Sequence, residues 1–218
     1  MGDPAPELGW VARELSEEFP HLGLRYLALC APPGRSPEPV RRRLRALAGR
    51  LSGGHVVHMR QDPVPWAYRV FWRQVGIDPD TVRTPVERIA LDRLIRGGLP
   101  SRNLVEDAVT IATLETGVAL TAFDADRLDG PIGLRLARDA EPLGGSGRPL
   151  PGGQIVLSDA HRALAMLGGE VAADRGVGPG TSRVAVAAVQ VKGVPQISVE
   201  EALWTVADTV GSSGELPF

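Results

Sequence analysis

Apolar positions in the first half of the chain recur at helical spacing, whereas those in the second half fall into short alternating or continuous runs. Leu8, Val11, Ala12, Leu15 and Phe19 form a stripe that predicts a helix over residues 8–19. In GLRYLALC, residues 23–30, Leu24, Tyr26 and Ala28 alternate with Arg25, Leu27 and Leu29, the pattern of a strand buried largely on both faces. Ser36 reads as an N-cap, with Pro37 at the first helical position and Glu38 in the first turn. Val40, Leu44, Leu47 and Leu51 then make one stripe and turn Arg41, Arg42, Arg43 and Arg45 mostly toward solvent. HVVHMR, residues 55–60, reads as a short strand or turn. A helix restarts at Asp62-Pro63, carries Trp66, Val70, Phe71 and Val75, and closes at Gly76. Thr84-Pro85-Val86-Glu87 is a capping box opening a helix that runs to Gly97-Gly98.

The stretch NLVEDAVTIATLETGVALTAFD, residues 103–124, predicts a buried helix that turns at Gly117 into a short strand. Beyond it, GVALTAF, IGLRLAR, QIVLSD and RVAVAAVQV read as strands separated by glycine-rich loops at residues 144–153 and 176–180. Ser198-Val199-Glu200-Glu201 caps a last helix with Ala202, Leu203, Val206 and Val210 on its apolar side, ending at Gly211. Helices first, strands second and a helix last argue for an α+β fold rather than an alternating parallel sheet.

At 218 residues the chain suits one domain, or one domain with a small extension. No apolar run approaches the roughly 20 residues of a membrane helix, so no membrane partner is expected. The one cysteine, Cys30, sits at the end of an apolar strand as a buried inert thiol and fits a reducing compartment; the expected location is the cytoplasm. A net charge of −2 excludes a global basic field for nucleic acid. The cations are nonetheless 23 arginines against one lysine, and Arg41, Arg42, Arg45, Arg69 and Arg73 are the available phosphate partners for RNA, with a solvated helix face as the plainer alternative. His55 and His58, three apart in a strand, would point to opposite faces, and no second Cys/His pair accompanies them, so neither metal nor cofactor is expected. Asp107 falls among Val105, Ala108, Val109 and Ile111, a carboxylate that burial would force to find a partner, either as a structural hydrogen bond or as a catalytic acid. Glu170 follows Gly168-Gly169, where a bare backbone would let a ligand approach closely, or is simply a carboxylate at a strand-to-turn junction.

These motifs have a recognisable order. LPSRNLVEDAVTIATLETGVALTAFDADRLDGPIGLRLARDAEPL, followed by IVLSDAHRALAMLGGE, resembles the B3/B4 domain of the phenylalanyl-tRNA synthetase β subunit, and the stretch WAYRVFWRQVGIDPDTVRTPVERIALDRLIRGGLP is similar to its freestanding bacterial form. The resemblance implies a layered sandwich of mixed or antiparallel sheets with a helical layer. Residues 61–218 would form the B3/B4-like domain, and residues 1–60 a helix–strand–helix extension packed on the same unit. It further implies hydrolysis, in trans, of the ester of a misacylated or non-canonical aminoacyl-tRNA, with the tRNA 3′ end and its amino acid as partners. Glu170, Thr121 and Asn103 would carry the chemistry, and Thr110, Asp107, Gly117, Ala119, Asp124, Gly168 and Gly169 would bind the substrate. Thr121 stands where the family has histidine, Ala119 where it has proline, Thr110 where it has asparagine and Pro100 where it has arginine. A threonine hydroxyl hydrogen-bonds but does not titrate near neutral pH. The alternatives are a non-catalytic aminoacyl-tRNA binding module and a biosynthetic enzyme that passes the acyl group to another acceptor. Aminoacylation by an intact synthetase is not expected.

Overall fold

The computed structural model describes residues 5–145 and 149–212. The first segment differs from its stripe: instead of one helix, β1 (Glu7–Leu8) and β2 (Trp10–Val11) precede a short α1 (Arg13–Glu18). The apolar positions are shared between two sheets. Gly9 marks the crossing, its amide donating to Leu24 O while the amide of Trp10 donates to Ile132 O.

β3 (Gly23–Cys30) spans the expected residues, but only Leu24 and Leu27 are fully buried and Ala28 and Cys30 are exposed. Cys30 is therefore an accessible thiol rather than a buried one. α2 (Glu38–Arg50) begins one residue later than expected, with Pro37 as N-cap; Ser36 is buried and donates its hydroxyl to Asp107 instead of capping the helix. Residues expected as a strand form α3 (Gly53–Met59), because Ser52 accepts from the His55 amide and caps a turn that docks Val56 and Met59 against Val86 and Ala90. On this helix His55 and His58 share a face rather than opposing one another, and both are exposed.

α4 (Pro63–Gln74), α5 (Pro85–Arg96) and α6 (Leu104–Thr116) follow as expected. Gly117 closes α6 with φ of 75°, a left-handed conformation that suits glycine, and β4 (Leu120–Asp124) continues from it. β5 (Gly133–Leu136), β6 (Ile155–Ser158), β7 (Ala163–Met166) and β8 (Arg183–Gln190) complete the strands. Like β1 and β2, β7 had no counterpart among the expected strands. α7 (Gln196–Gly211) starts two residues before Ser198, with Pro195 as its N-cap. Part of the glycine-rich loop expected over residues 144–153 lies outside the described residues.

The strands form two four-stranded sheets, one ordered β1-β3-β8-β4 and wholly antiparallel, the other β2-β5-β6-β7 with β2 and β5 parallel. β3, from the first sixty residues, is an interior strand of the first sheet. α6 and α7 pack on each other and on this sheet, and α2 packs on α6, giving the helical layer. β8 is buried from Val184 to Val189, as its unbroken apolar run requires of a central strand. One main core joins both sheets to α4 through Tyr68, Phe71 and Trp72. The architecture is α+β, with mixed and antiparallel sheets and a helical layer. No helix is long and apolar enough to cross a membrane among the described residues.

A smaller cluster on the second sheet, including Ala137, Leu143 and Val156, lies beside a carboxylate anchor. Glu141 accepts from Arg135 Nη1 and Nη2 at 2.7 and 2.5 Å and from the amides of Arg138 and Ala163 at 3.0 and 3.1 Å. The Arg135 hydrogen bond is the main reason its pKa falls from 4.5 to about 2; desolvation opposes it and the two amides reinforce it. A carboxylate held below its unfolded value stabilises the fold fully above the unfolded pKa and loses that contribution as pH falls through the folded one. The free energy of unfolding from urea titration should therefore drop between about pH 5 and pH 2 by an amount on the order of 2–3 kcal/mol through this group, and Glu141→Gln should flatten that part of the profile.

Candidate functional site

A cavity of about 390 Å³ opens between α5, α6, β4 and the loops that follow β7. Its position follows from the hinge at Gly117. The helix and the strand diverge there, and α5 together with the Gly168-Gly169 turn covers the wedge between them. Along α5 the lining residues Pro85, Arg88, Ile89, Asp92 and Arg96 recur at spacings of three and four, so one face of the helix is a wall. α6 contributes Glu106, Asp107, Val109, Thr110 and Thr113, and β4 contributes Leu120, Thr121 and Ala122.

Five candidates from the sequence meet at this cavity: Asp107, Thr110, Thr121, Gly168 and Gly169. Thr110 and Thr121 are half-buried. Asp107 is 2% exposed, and both its oxygens are engaged by the protein. Oδ2 accepts from Ser36 Oγ at 2.6 Å and Ser101 Oγ at 2.5 Å, while Oδ1 accepts from the Arg102 amide at 3.0 Å. Of the two roles open to it, the geometry favours the structural one: it ties the loop before α6 to the start of α2. Removing it would take the acceptor from three donors, of which the Ser36 hydroxyl is buried.

Asn103, Gly117, Ala119, Asp124 and Glu170 do not line the cavity. Asn103 is the N-cap of α6: Oδ1 accepts from the Glu106 amide and Nδ2 donates to Glu106 Oε1, each at 2.9 Å. Ala119 is buried in the core. Asp124 accepts from Thr181 Oγ1 at 2.9 Å and from the Asp126 amide at 3.2 Å, which fastens the end of β4 to the loop before β8. Glu170 is exposed, with its carbonyl accepting from the Met166 amide. The space above Gly168 is used differently from the expectation for a bare backbone. A Cβ there would lie 2.2 Å from Trp72 Cζ2, so the missing side chain admits the buried indole, not a ligand.

The first sheet supplies a further feature. β4 is its edge strand, and alternation of antiparallel pairing turns the backbone groups of even-numbered residues away from β8. The Asp124 amide accordingly donates outward, to Arg175 O. The same alternation turns the Leu120 and Ala122 amides to this outer edge, which is bridged to Gly176 at Phe123 and borders the cavity.

Sequence reasoning missed Arg88, Asp92, Arg96 and Arg102 as lining residues. Arg88 Nη1 donates to Gly168 O at 3.0 Å, joining the α5 wall to the glycine turn. Arg102 pairs with Glu106 at 3.0 Å. The only signal for α5 was its polar face, which has the same pattern whether it meets solvent or a cavity. Among the RNA candidates, Arg69 requires correction. It is buried, with Nη1 2.6 Å from Glu87 Oε1 and Nη2 2.9 Å from Asp80 Oδ1, and offers nothing to a phosphate. Arg41 and Arg45 both pair with Glu38, Arg42 is exposed, and Arg73 lies over the Trp66 ring. No cluster of three or more His, Cys, Asp or Glu residues suited to a metal occurs among the described residues.

A family model described as the B3/4 domain matches residues 67–201. The phenylalanine–tRNA ligase β subunit of Methylococcus capsulatus is 38% identical over 115 residues, covering 50% of this chain and 14% of that protein. The corresponding subunit of Psychrobacter arcticus is 34% identical over 103 residues, 46% of this chain and 13% of that one. The chain thus spans a small part of the length of these relatives. An N-terminal fragment of the phenylalanyl-tRNA synthetase β subunit from Pyrococcus horikoshii aligns with 52% of this chain and 41% of its own at 18% identity, with a TM-score of 0.41.

Proposed function

This chain belongs to the B3/4 domain family, and we propose that it hydrolyses the ester of a misacylated or non-canonical aminoacyl-tRNA, acting on the charged 3′ end. The observation that carries the reading is the cavity itself, which gathers Thr110, Thr121 and the Gly168-Gly169 turn beside the outer edge of β4. An activated ester needs a held carbonyl, an ordered water and donors for the oxyanion that develops. On this reading the Ala122 amide on the edge of β4 is the oxyanion donor. The Thr121 and Thr110 hydroxyls hold the water and the amino acid. Asn103 and Asp107 act as positioning residues that fix the first turn of α6, and Glu170 stands outside the lining.

Incubation with a panel of aminoacyl-tRNAs, following ester loss for each amino acid, tests this. Thr121→Val preserves shape and removes the hydroxyl; ester release should fall roughly tenfold to a hundredfold with the thermal midpoint little changed. Wild-type turnover in Thr121→Val would sink the assigned role. The engaged oxygens of Asp107 favour a second reading, a module that binds aminoacyl-tRNA without cleaving it. Binding of charged tRNA with an intact ester across the panel would establish that reading instead.

A further inference from the structure

We infer that Arg88 and Arg96 of α5, rather than the arginines of α2, contact the phosphodiester backbone of the RNA whose 3′ end enters the cavity. The inference rests on the aminoacyl-tRNA reading of the site and assigns the surface through which the RNA would be held.

Arg88 and Arg96 lie eight residues apart with Asp92 midway, so all three fall along the wall of α5 that lines the cavity. Neither arginine has a carboxylate within salt-bridge distance among the described residues. Arg88 is exposed as a residue, yet enough protein surrounds its guanidinium that desolvation lowers its pKa, against the pull of Asp92. One of its donors is spent on Gly168 O and the others remain. A crowded guanidinium without an ion-pair partner is a better place for an anion than one already neutralised. The neighbouring charges at the mouth are accounted for: Arg102 with Glu106, and Asp107 with its three donors. The α5 wall is left with two cations and one carboxylate. On α2, by contrast, Arg41 and Arg45 are held by Glu38 and Arg43 by Glu115. An aminoacyl ester carries no free α-carboxylate, so the nearest anions of the ligand are its backbone phosphates.

Binding of uncharged bulk tRNA to the full chain, measured at several salt concentrations between about 50 and 200 mM, tests the assignment. Each lost phosphate contact in single-stranded RNA should reduce the salt slope by about 0.7. Arg88→Gln and Arg96→Gln are each expected to weaken binding several-fold and to flatten the slope, while Arg88→Lys retains most of it. Asp92→Asn should tighten binding, an opposite effect that damage to the fold would not produce. The proposal is overturned if the α5 variants keep the wild-type slope while Arg42→Gln loses it, or if the wild-type chain shows no salt-dependent affinity for tRNA. Release of amino acid from a 3′-aminoacyl adenosine, which has no phosphate, reads the cavity separately. If no such ester is cleaved while the α5 salt effects hold, the hydrolytic reading fails and the RNA contact stands.

Discussion

Glu87→Ala is expected to lower the free energy of unfolding by about 3–5 kcal/mol, measured by denaturant titration of tryptophan fluorescence. Glu87 is 1% exposed, at the first turn of α5. Its Oε1 accepts from Arg69 Nη1 at 2.6 Å and has Arg60 Nε 3.0 Å away as an ion pair. Its Oε2 accepts from the amide and hydroxyl of Thr84 at 3.2 and 2.8 Å. One carboxylate therefore caps α5 and neutralises the buried arginine of α4. Alanine would leave Arg69, 4% exposed, with Asp80 alone, and Asp80 is itself half in solvent. Stranding a buried charge is the expensive outcome; replacing both partners together, as Arg69→Met with Glu87→Leu, should cost much less. The exposed Arg13–Glu17 pair is the control, and breaking it should change stability by less than about 1 kcal/mol. A midpoint for Glu87→Ala as close to wild type as that control would show that the network does not hold α4 and α5 together.

The capping motif at Thr84 announced the start of α5, but not that its glutamate also serves an arginine eighteen residues earlier. Local signals were legible where a short-range rule decides the outcome. Gly117 ends α6, and the β8 run VAVAAV reads as central because no polar residue interrupts Val184 to Val189. They misled where tertiary contacts override propensity. The Val pair and glycines of residues 53–59 suggest a strand, yet Val56 and Met59 at helical spacing find an apolar groove beneath α5. The four apolar residues of β7, Ala163 to Met166, are good helix formers, and a run that short has no period to read. Of the residues that line the candidate cavity, Asp107 and the glycine turn stood out by residue type, whereas Thr110 and Thr121 came only from the family resemblance. The site was not legible on α5, since Arg88, Asp92 and Arg96 have the composition of any solvated helix face.

Gly168→Ala should cost about 2–4 kcal/mol and, on the proposed hydrolytic reading, depress ester release with it, because the glycine turn is both a core contact and a wall of the cavity. Two independent obstacles meet at this residue. Its φ is 63°, in the left-handed region where a Cβ is strained. The added Cβ would also lie 2.2 Å from Cζ2 of Trp72, a rigid side chain that is itself fully buried. The turn must shift, and Gly168 O, which accepts from Arg88, moves with it. Gly169→Ala is the comparison. Its φ is not positive and its Cβ would sit 3.1 Å from Met166 Cβ, so a loss below about 1 kcal/mol is expected. Trp72→Phe separates the two obstacles, since it removes the part of the indole that the new methyl meets. It forfeits no hydrogen bond, because Trp72 Nε1 has no partner among the described residues. In a double-mutant cycle the pair should couple favourably by about 1–2 kcal/mol, recovering the overpacking and leaving the backbone strain in place. Zero coupling, or equal losses for alanine at 168 and at 169, would mean that the turn yields freely and that the Trp72 contact does not shape the cavity wall.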